Sequence, residues 1–329
     1  MNNVPFLLKP AVKDYIWGGT RLRDDFSKDF DIEPFAESWE CSTHPDGPSV
    51  IASGKYKGLT LSEVLKIHPE YLGTHPNGEF GIPILVKFID ARADLSVQVH
   101  PDDEYANRYE HGQLGKTEMW YVVDALPSTK LVYGFHRDLE KSQLRKSIED
   151  GTVEKYLQCV DVHKNDVFVI TPGTVHAIGA GALIVEIQEC SNLTYRLYDY
   201  NRIGKDGKKR ELHIEKALDV ARTKCEKEPK QPLRVLNYKP GYASELITRN
   251  KYFQVERLII NTERIRDMYS FSTTTNSFVV LVCYEGCGSL FSAGEESVIN
   301  FFKGDTIFVP ANSENIKIHG KAEFLKVNC

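Results

Sequence analysis

The sequence predicts a mainly β protein with two related β units and helical insertions, and three observations support this fold class. Short segments rich in Val, Ile, Phe and Tyr recur along the chain and end at Gly, Pro, Asp or Asn, as is typical of strands. Segments with apolar residues at helical spacing are fewer. A turn–strand–proline pattern occurs twice, which indicates an internal repeat.

Apolar runs define the strands that we predict in the first unit. These strands are Ile82–Ile89, Leu95–His100, Met119–Val123, Asp166–Ile170 and Leu183–Ile187. Three helices are also predicted. Thr60 and Glu63 fit a capping box at the start of one helix. The charged segment 139–150 contains neither Gly nor Pro, and the segment 212–223 has apolar residues close to a 3.6-residue period.

Residues 226–240 are predicted to link the two units. This stretch holds three of the fifteen prolines, and proline disfavours both helix interiors and central strands. The first unit therefore spans residues 1–230, and the second spans residues 231–329. Strands of the second unit are predicted at Phe253–Ile260, Ser277–Cys283, Ser289–Phe291, Val298–Phe302, Thr306–Pro310 and Glu314–Ile318.

The repeat pairs His163–Pro172 with Phe302–Pro310, allowing one residue of slippage. Each copy is predicted to be a turn with an Asp, then a strand, then a Pro that ends the strand. His176 follows the first copy, whereas Glu314 stands at the corresponding place after the second. We therefore expect the second unit to lack any metal that the first unit binds.

The composition argues against several functional classes. The 329 residues include 46 acidic and 41 basic side chains, and a net charge of −5 argues against binding to nucleic acid or to an anionic membrane. The longest apolar runs are far shorter than the roughly 18 residues that span a bilayer. The N-terminus does not resemble a signal peptide, and seven cysteines, an odd number, do not form a disulfide framework. We expect a cytoplasmic protein with reduced thiols.

One candidate site combines side chains from three segments. Alternation along a strand brings one set of side chains to a common face. The sets are Ser96, Gln98 and His100 in one strand, and Lys116, Glu118 and Trp120 in another. An amide, a carboxylate and two imidazoles would offer two oxygen and two nitrogen ligands, which suits a divalent ion such as zinc. These four residues are Gln98, His100, Glu118 and His176; each alone is equally consistent with a hydrogen-bonded or solvated side chain.

A second candidate site is basic. In an extended chain, Arg196 and Arg202 would point the same way, with Thr194, Tyr198 and Tyr200 on the same face. Arginine binds phosphate or carboxylate through two parallel hydrogen bonds. The alternative is an edge strand that carries charge for solubility.

Glu186 lies in an otherwise apolar strand, on the same face as Gln188. Burial there would raise the pKa of its carboxyl toward the range of a general base. The alternative is an ion pair with one of the arginines.

These residues carry a family resemblance that extends from about Lys9 to Arg202. The motifs are Ser96-Val-Gln98-Val-His100-Pro, Gly115-Lys116-Thr-Glu118-Met, Pro172-Gly-Thr-Val-His176-Ala, Glu186 followed by Ser191-Asn and Arg196, Tyr15-Ile-Trp17-Gly-Gly, and Ala36-Glu-Ser-Trp39 continuing to His44-Pro. Together they resemble type I mannose-6-phosphate isomerases, and in particular their short bacterial, class I-like branch.

The resemblance implies a cupin fold, with two jelly-roll β-barrel units and helical insertions. It implies one Zn²⁺ per subunit, held by residues Gln98, His100, Glu118 and His176. The implied catalytic residues are Arg196, Lys116 and Glu186, and the implied substrate-binding residues are Ser96 and Arg202. One departure is Gly115, because the longer enzymes of the family have a histidine directly before the pocket lysine.

The implied activity is isomerisation of mannose 6-phosphate and fructose 6-phosphate through a cis-enediol. The acid–base residue stays open among Lys116, Glu186 and His44, and Arg196 would either stabilise the enediolate or bind the phosphate. Two alternatives are a cupin dioxygenase and a non-catalytic cupin that binds sugar phosphate. We expect a small-molecule sugar phosphate as the partner, no nucleic acid or membrane, and a monomer or weak homo-oligomer.

Overall fold

The computed structural model describes residues 3–76, 81–204, 206–227, 229, 231, 233–292 and 298–329. Its strands are β1 (Phe6–Lys9), β2 (Ala11–Lys13), β3 (Glu37–Cys41), β4 (Val50–Ile51), β5 (Ile84–Asp90), β6 (Val97–Val99), β7 (Glu118–Ala125), β8 (Lys130–Phe135), β9 (Leu157–Asp161), β10 (Val167–Ile170), β11 (His176–Ile178), β12 (Ala182–Glu189), β13 (Tyr195–Tyr198), β14 (Asn237–Lys239), β15 (Tyr242–Arg249), β16 (Gln254–Asn261), β17 (Tyr269–Phe271), β18 (Val279–Phe291), β19 (Val298–Phe302), β20 (Thr306–Val309) and β21 (Ile316–Asn328). Its α-helices are α1 (Arg21–Asp24), α2 (Leu61–Ile67), α3 (Asp103–Tyr109), α4 (Lys141–Glu149) and α5 (Ile214–Val220). These elements confirm the prediction of a mainly β fold with helical insertions.

The strands form three sheets. A six-stranded sheet has the order β10-β7-β12-β5-β3-β2, and a five-stranded sheet has the order β13-β6-β11-β8-β9. A ten-stranded sheet has the order β14-β15-β16-β21-β18-β20-β1-β4, with β17 beside β21 and β19 beside β18. The N-terminal strands β1 and β4 thus belong to the same sheet as the last ninety residues or so, and the unit boundary at residue 230 stays a prediction.

The six-stranded sheet is buried on both faces, because it packs between the other two sheets. Val86 and Phe88 on β5 join an apolar cluster with residues of the ten-stranded sheet, such as Val280. Ile89 on the opposite face joins a second cluster with residues of the five-stranded sheet, such as Leu131. All residues of β5 and β12 are buried. Helices α4 and α5 cover the outer face of the five-stranded sheet.

Local sequence signals locate several elements correctly. Thr60 caps α2 in the predicted capping box, with the N–H of Glu63 donating to the Thr60 hydroxyl and the N–H of Thr60 donating to the Glu63 carboxylate. Helices α4 and α5 lie within the segments predicted as helical. The short helices α1 and α3 are additional to the prediction. Among the described residues, no helix has the length and apolar character needed to cross a membrane.

The predicted strands Ser277–Cys283 and Ser289–Phe291 are parts of one strand, β18, so the prediction of a break between them is wrong. The pairing of β18 with β21 shifts register after Cys283, which marks a β-bulge. Gly286 adopts φ +82° there, and an added Cβ would lie 2.0 Å from the carbonyl oxygen of Lys321. The glycine therefore permits a bulge within the strand instead of ending it.

The repeat has the same local structure in both copies. The N–H of His163 donates to the Asp166 carboxylate at 2.8 Å, and the N–H of Phe302 donates to the Asp305 carboxylate at 2.8 Å. The first turn leads into β10, which is followed by Pro172, and the second leads into β20, which is followed by Pro310. The predicted turn–strand pattern is confirmed.

Candidate active site

A buried cluster of two histidines and one glutamate lies between the six-stranded and five-stranded sheets. Nε2 of His100 is 3.5 Å from Oε2 of Glu118, and Nε2 of His176 is 3.3 Å from Oε1 of Glu118. The candidate ligand atoms all lie within 4.8 Å of one another. Both Nε2 atoms and Oε1 of Glu118 are buried without a hydrogen-bond partner among the described residues, whereas Oε2 of Glu118 lies 3.0 Å from Nζ of Lys116. Because buried polar atoms are almost always satisfied, the donor set fits a bound cation.

The protonation states of the histidines suit metal binding. Nδ1 of His176 lies 2.8 Å from the carbonyl oxygen of Thr174. A carbonyl only accepts, so Nδ1 carries the proton and Nε2 is free to act as a ligand. Burial lowers the pKa of His176 to about 4 and holds the pKa of His100 well below its ordinary value. Both imidazoles are therefore neutral at pH 7.

Gln98 lies next to this cluster. It is directly opposite His176 in the pairing of β6 with β11, and opposite Arg196 in the pairing of β6 with β13. Directly opposite residues place their side chains on one face of a sheet. The ligand role of Gln98 stays a prediction, and its position on this face is compatible with it.

Lys116 connects the cluster to a second carboxylate. Its Nζ is 3.0 Å from Oε2 of Glu118 and 4.0 Å from Oε1 of Glu186. All three side chains are buried. Burial, followed by the negative charge of the nearby Glu186, raises the pKa of Glu118 to about 7.

The backbone around Lys116 is held by three hydrogen bonds from consecutive N–H groups of residues 115–117. The first donates to Oδ1 of Asp103 at 3.0 Å, the second to the carbonyl oxygen of Pro101 at 3.0 Å, and the third to Oε1 of Glu189 at 2.6 Å. The hydroxyl of Tyr252, between β15 and β16, donates to Oδ2 of Asp103 at 2.7 Å. Tyr252, which lies between two strands of the ten-stranded sheet, thus supports the segment that carries Lys116.

Gly115 has no space for a side chain. A Cβ at this position would lie 2.5 Å from the backbone of both Asp102 and Asp103. The packing of this segment against the start of α3 therefore accounts for the glycine, where the resemblance would place a histidine in the longer enzymes.

Glu186 is ionised, and the prediction that burial raises its pKa is wrong. Burial does act in that direction, but the ammonium groups of Lys87 and Lys116 outweigh it and lower the pKa of Glu186 to about 2. Nζ of Lys87 is 2.9 Å from Oε1, and Nε1 of Trp120 donates to Oε2 at 2.9 Å. The partner of Glu186 is thus a lysine on the neighbouring strand β5, and the alternative of an arginine partner is also wrong.

Arg196 is held on β13 by bonds to two segments. Its Nε donates to Oγ of Ser96 at 3.3 Å, and its Nη1 donates to the carbonyl oxygen of Glu211 at 2.8 Å. This contact brings together Arg196, predicted as catalytic, and Ser96, predicted as substrate-binding; both roles stay predictions.

Arg202 departs from the predicted arrangement. The extended run ends at Tyr198, and Tyr200 and Asn201 adopt left-handed conformations with φ +55° and +54°. Strand alternation therefore stops before Arg202, whose guanidinium bonds to Asp199 and to the carbonyl oxygen of Asp94. The expectation of one extended face through Arg202 is wrong, and its substrate-binding role stays a prediction that this geometry does not favour.

A cavity of about 260 Å³ lies beside the cluster and brings most of the predicted site together. The predicted residues on its wall are Ser96, Gln98, Lys116, Glu186 and Arg196. Its wall also includes Lys87 and Arg210, which sequence reasoning missed. Lys87 interrupts an apolar run in β5, and this pattern could have identified it as a buried, functional side chain. Arg210 follows two lysines, so no local pattern distinguishes it from a surface charge.

His44 lies elsewhere. Its ring packs edge-on against Trp39, and its Nδ1 accepts the N–H of Asp46 at 3.1 Å. It borders a different cavity, of about 1040 Å³. This position does not favour the acid–base role considered for His44.

The fold is a cupin-like β fold, and its buried cluster is a candidate metal site. Comparison with known proteins makes the assignment specific. The family model described as the phosphomannose isomerase type I catalytic domain matches residues 6–123. The mannose-6-phosphate isomerase ManA of Bacillus subtilis is 38% identical over 326 residues, which cover 98% of each chain.

Two further comparisons agree. The mannose-6-phosphate isomerase of Streptococcus mutans is 44% identical over 216 residues, or 66% of this chain and 67% of that one. The crystal structure of the mannose 6-phosphate isomerase from Bacillus subtilis matches with a TM-score of 0.88 and 34% identity over 99% of both chains. The chain belongs to the type I mannose-6-phosphate isomerase family, and it is an isomerase, as the sequence resemblance implies.

Proposed function

We propose that the cavity binds the open-chain forms of mannose 6-phosphate and fructose 6-phosphate and interconverts them. The observation that carries the proposal is the buried His100–Glu118–His176 cluster beside a cavity that presents Lys116 and Arg196. An aldose–ketose isomerase needs a group that moves a proton between C2 and C1, a cationic environment for the developing enediolate, and a site for the phosphate. This arrangement offers all three.

The proposed metal is one Zn²⁺ per chain, held by Gln98 together with the three residues of the cluster. Two neutral imidazoles and one carboxylate are typical zinc ligands, and a side-chain amide adds a neutral oxygen. When bound, zinc supplies Lewis-acid polarisation of sugar oxygens. The buried carboxylate and imidazole atoms without hydrogen-bond partners support a cation at this place.

Lys116 is proposed to carry the proton at Nζ: its free amine takes the proton from one substrate carbon, and the resulting ammonium returns it to the other. Its ammonium lies between the carboxylates of Glu118 and Glu186 and reaches the cavity wall. Glu186 is a poor base, because its low pKa makes the carboxylate a weak proton acceptor and both of its oxygens have close cationic or N–H partners. Its proposed role is to hold Lys116 and Lys87 in place through their charges.

Arg196 and Ser96 are proposed to bind the anionic end of the substrate. Burial lowers the pKa of Arg196, with a further contribution from the neighbouring Arg210, yet an arginine stays charged at pH 7. Nη2 of Arg196 takes part in neither of the two bonds that fix the side chain. This group is therefore available to a ligand oxygen.

The proposal also covers the setting of the reaction. We place the enzyme in the cytoplasm and expect a monomer or weak homo-oligomer, and the seven cysteines, all free thiols, are compatible with a reducing compartment. Membership of the isomerase family favours this activity over the dioxygenase and over the non-catalytic sugar-phosphate-binding protein considered above.

The test is a coupled assay of mannose 6-phosphate isomerisation with zinc-loaded protein in D₂O. We expect fructose 6-phosphate to form and solvent deuterium to enter the transferred position. Lys116→Met should abolish both conversion and exchange while the metal stays bound. Absence of conversion by fully zinc-loaded protein would refute the proposal.

A further inference from the structure

Arg210 occupies a defined position on the wall of the same cavity. Its Nε donates to Oδ2 of Asp199 at 2.8 Å, and its Nη2 donates to Oδ1 of Asp199 at 2.5 Å. Asp199 is itself buried, and bonds from Arg210 and Arg202 lower its pKa although burial opposes this. The ionised carboxylate thus holds one edge of the Arg210 guanidinium, while Nη1 takes part in neither bond.

Arg210 stands close to Arg196 because the chain returns alongside β13. The N–H of His213 donates to the carbonyl oxygen of Arg196 at 2.8 Å, so the segment that begins at Arg210 runs next to this strand. Three arginines, Arg196, Arg202 and Arg210, lie near two carboxylates: Asp199, which bonds to Arg202 and Arg210, and Glu211, whose charge acts on Arg196. The surplus of positive charge at this end of the cavity suits a phosphate monoester, which is close to a dianion at pH 7.

Arg202 and Arg210 share a partner but differ in their access to the cavity. Both bond to Asp199, but Arg210 lies on the cavity wall, whereas Arg202 bonds to the carbonyl oxygen of Asp94. A comparison of variants at the two positions can therefore distinguish binding of a ligand from stabilisation of Asp199.

We propose that Arg210, oriented by Asp199, binds the phosphate group of the substrate together with Arg196. This inference rests on the proposed function, since it names the residue that recognises the phosphate in the same site. Asp199 is a positioning residue, and Arg202 only completes the ion pairs of Asp199.

The test compares Arg210→Gln with Arg202→Gln in the zinc-loaded full-length enzyme. We expect Arg210→Gln to raise the KM for mannose 6-phosphate about ten- to hundredfold, as for loss of one charge-assisted hydrogen-bonded pair, with a smaller change in kcat. Direct calorimetric binding of inorganic phosphate should weaken by a similar factor. Arg202→Gln should change both values less than about threefold.

Arg210→Lys provides a second variant if Arg210→Gln does not fold. It keeps the charge but cannot hold Asp199 and a ligand with one planar group, so phosphate binding should again weaken, by less than in Arg210→Gln. Equal losses in the Arg202 and Arg210 variants, or unchanged phosphate binding in both Arg210 variants, would overturn the inference. Phosphate binding is measured without turnover, so a failure of the proposed activity is seen separately.

Discussion

Glu189 and Asp103 form a carboxyl–carboxylate pair next to the backbone segment that carries Lys116. Burial and the charge of Asp103 raise the pKa of Glu189 to about 8, whereas hydrogen bonds from Tyr252 and Gly115 outweigh burial and lower the pKa of Asp103. At neutral pH the pair therefore holds one proton on Glu189. Both carboxyl groups also accept backbone N–H groups of the 115–117 segment.

We expect this pair to make stability depend on pH. The pKa of Glu189 is about 8 in the folded protein and 4.5 ordinarily, so its stabilising contribution is complete below pH 4.5 and is lost as the pH rises toward 8. Glu189→Gln keeps a neutral donor toward Asp103 and should flatten the fall in unfolding free energy between about pH 5 and 8. Since one pKa unit corresponds to about 1.4 kcal/mol, the shift of Glu189 changes the free energy of unfolding by at most about 5 kcal/mol.

Urea unfolding of both proteins at several pH values measures this effect. Glu314→Gln is the matched control, because Glu314 is exposed and should leave the wild-type pH profile unchanged. Identical slopes for Glu189→Gln and the wild type would show that Glu189 is ionised in the fold.

Tyr252→Phe should reduce activity without removing the metal. The substitution deletes only the hydroxyl that donates to Asp103 at 2.7 Å, so it loosens the support of the Lys116 segment. A hydrogen bond to a charged group contributes about 1.5–3 kcal/mol, and we expect a several-fold loss of kcat with smaller changes in KM. Steady-state kinetics and metal analysis on the same samples check this.

Tyr238→Phe is the control for that variant, since Tyr238 is 78% exposed on β14. If both tyrosine variants had wild-type kcat, the contact between Tyr252 and Asp103 would have no part in positioning Lys116.

The proposed metal site gives a direct prediction about cofactor removal. Chelation should abolish activity, and Zn²⁺ should restore it, because Nε2 of both neutral imidazoles and Oε1 of Glu118 have no competing hydrogen bond among the described residues. His176→Ala should reduce both bound zinc and activity by a large factor, whereas Glu314→Ala, at the corresponding place in the repeat, should change neither. Full activity in protein that elemental analysis shows to be metal-free would contradict this.

Arg196→Lys should lower kcat/KM about ten- to hundredfold. Lysine keeps the charge but replaces a planar group of five donors with a compact ammonium, so the bonds to Ser96 and to a bound anion cannot form together. If Arg196 binds the phosphate, the loss lies mainly in KM; if it stabilises the enediolate, the loss lies in kcat. Wild-type values of both constants, with unchanged metal content, would show that Arg196 has no role in the site.

Local patterns in the sequence were sufficient for part of this site. The alternation of side chains along β6 and the start of β7 depends only on neighbouring residues. It therefore correctly predicts that His100 and Glu118 point into the same interior, where they lie 3.5 Å apart. The ionisation of Glu186 depends on Lys87, which is distant in sequence and reaches it only through pairing of β5 with β12. Long-range pairing of this kind leaves no local pattern.

The same distinction explains the arginines and the sheets. Left-handed conformations at Tyr200 and Asn201 end the strand alternation before Arg202. A tyrosine at the first of these positions gives no local signal for such a conformation. Likewise, nothing in the local sequence of Phe6–Lys9 indicates that it pairs with Thr306–Val309. Predictions based on spacing therefore hold within one element and fail where distant segments meet.

The six-stranded sheet, with one face toward the cavity and the other toward the ten-stranded sheet, limits how relatives of this chain can be recombined. Neighbouring residues such as Val185 and Glu186 serve different interiors, so a crossover inside β12 changes both at once. Strands β1 and β4 belong to the ten-stranded sheet and would have to be exchanged along with residues 237–328, whereas β2 and β3 between them belong to the six-stranded sheet. A viable chimera must therefore keep the packed faces of neighbouring sheets from one parent, which a single crossover point in the gene does not achieve.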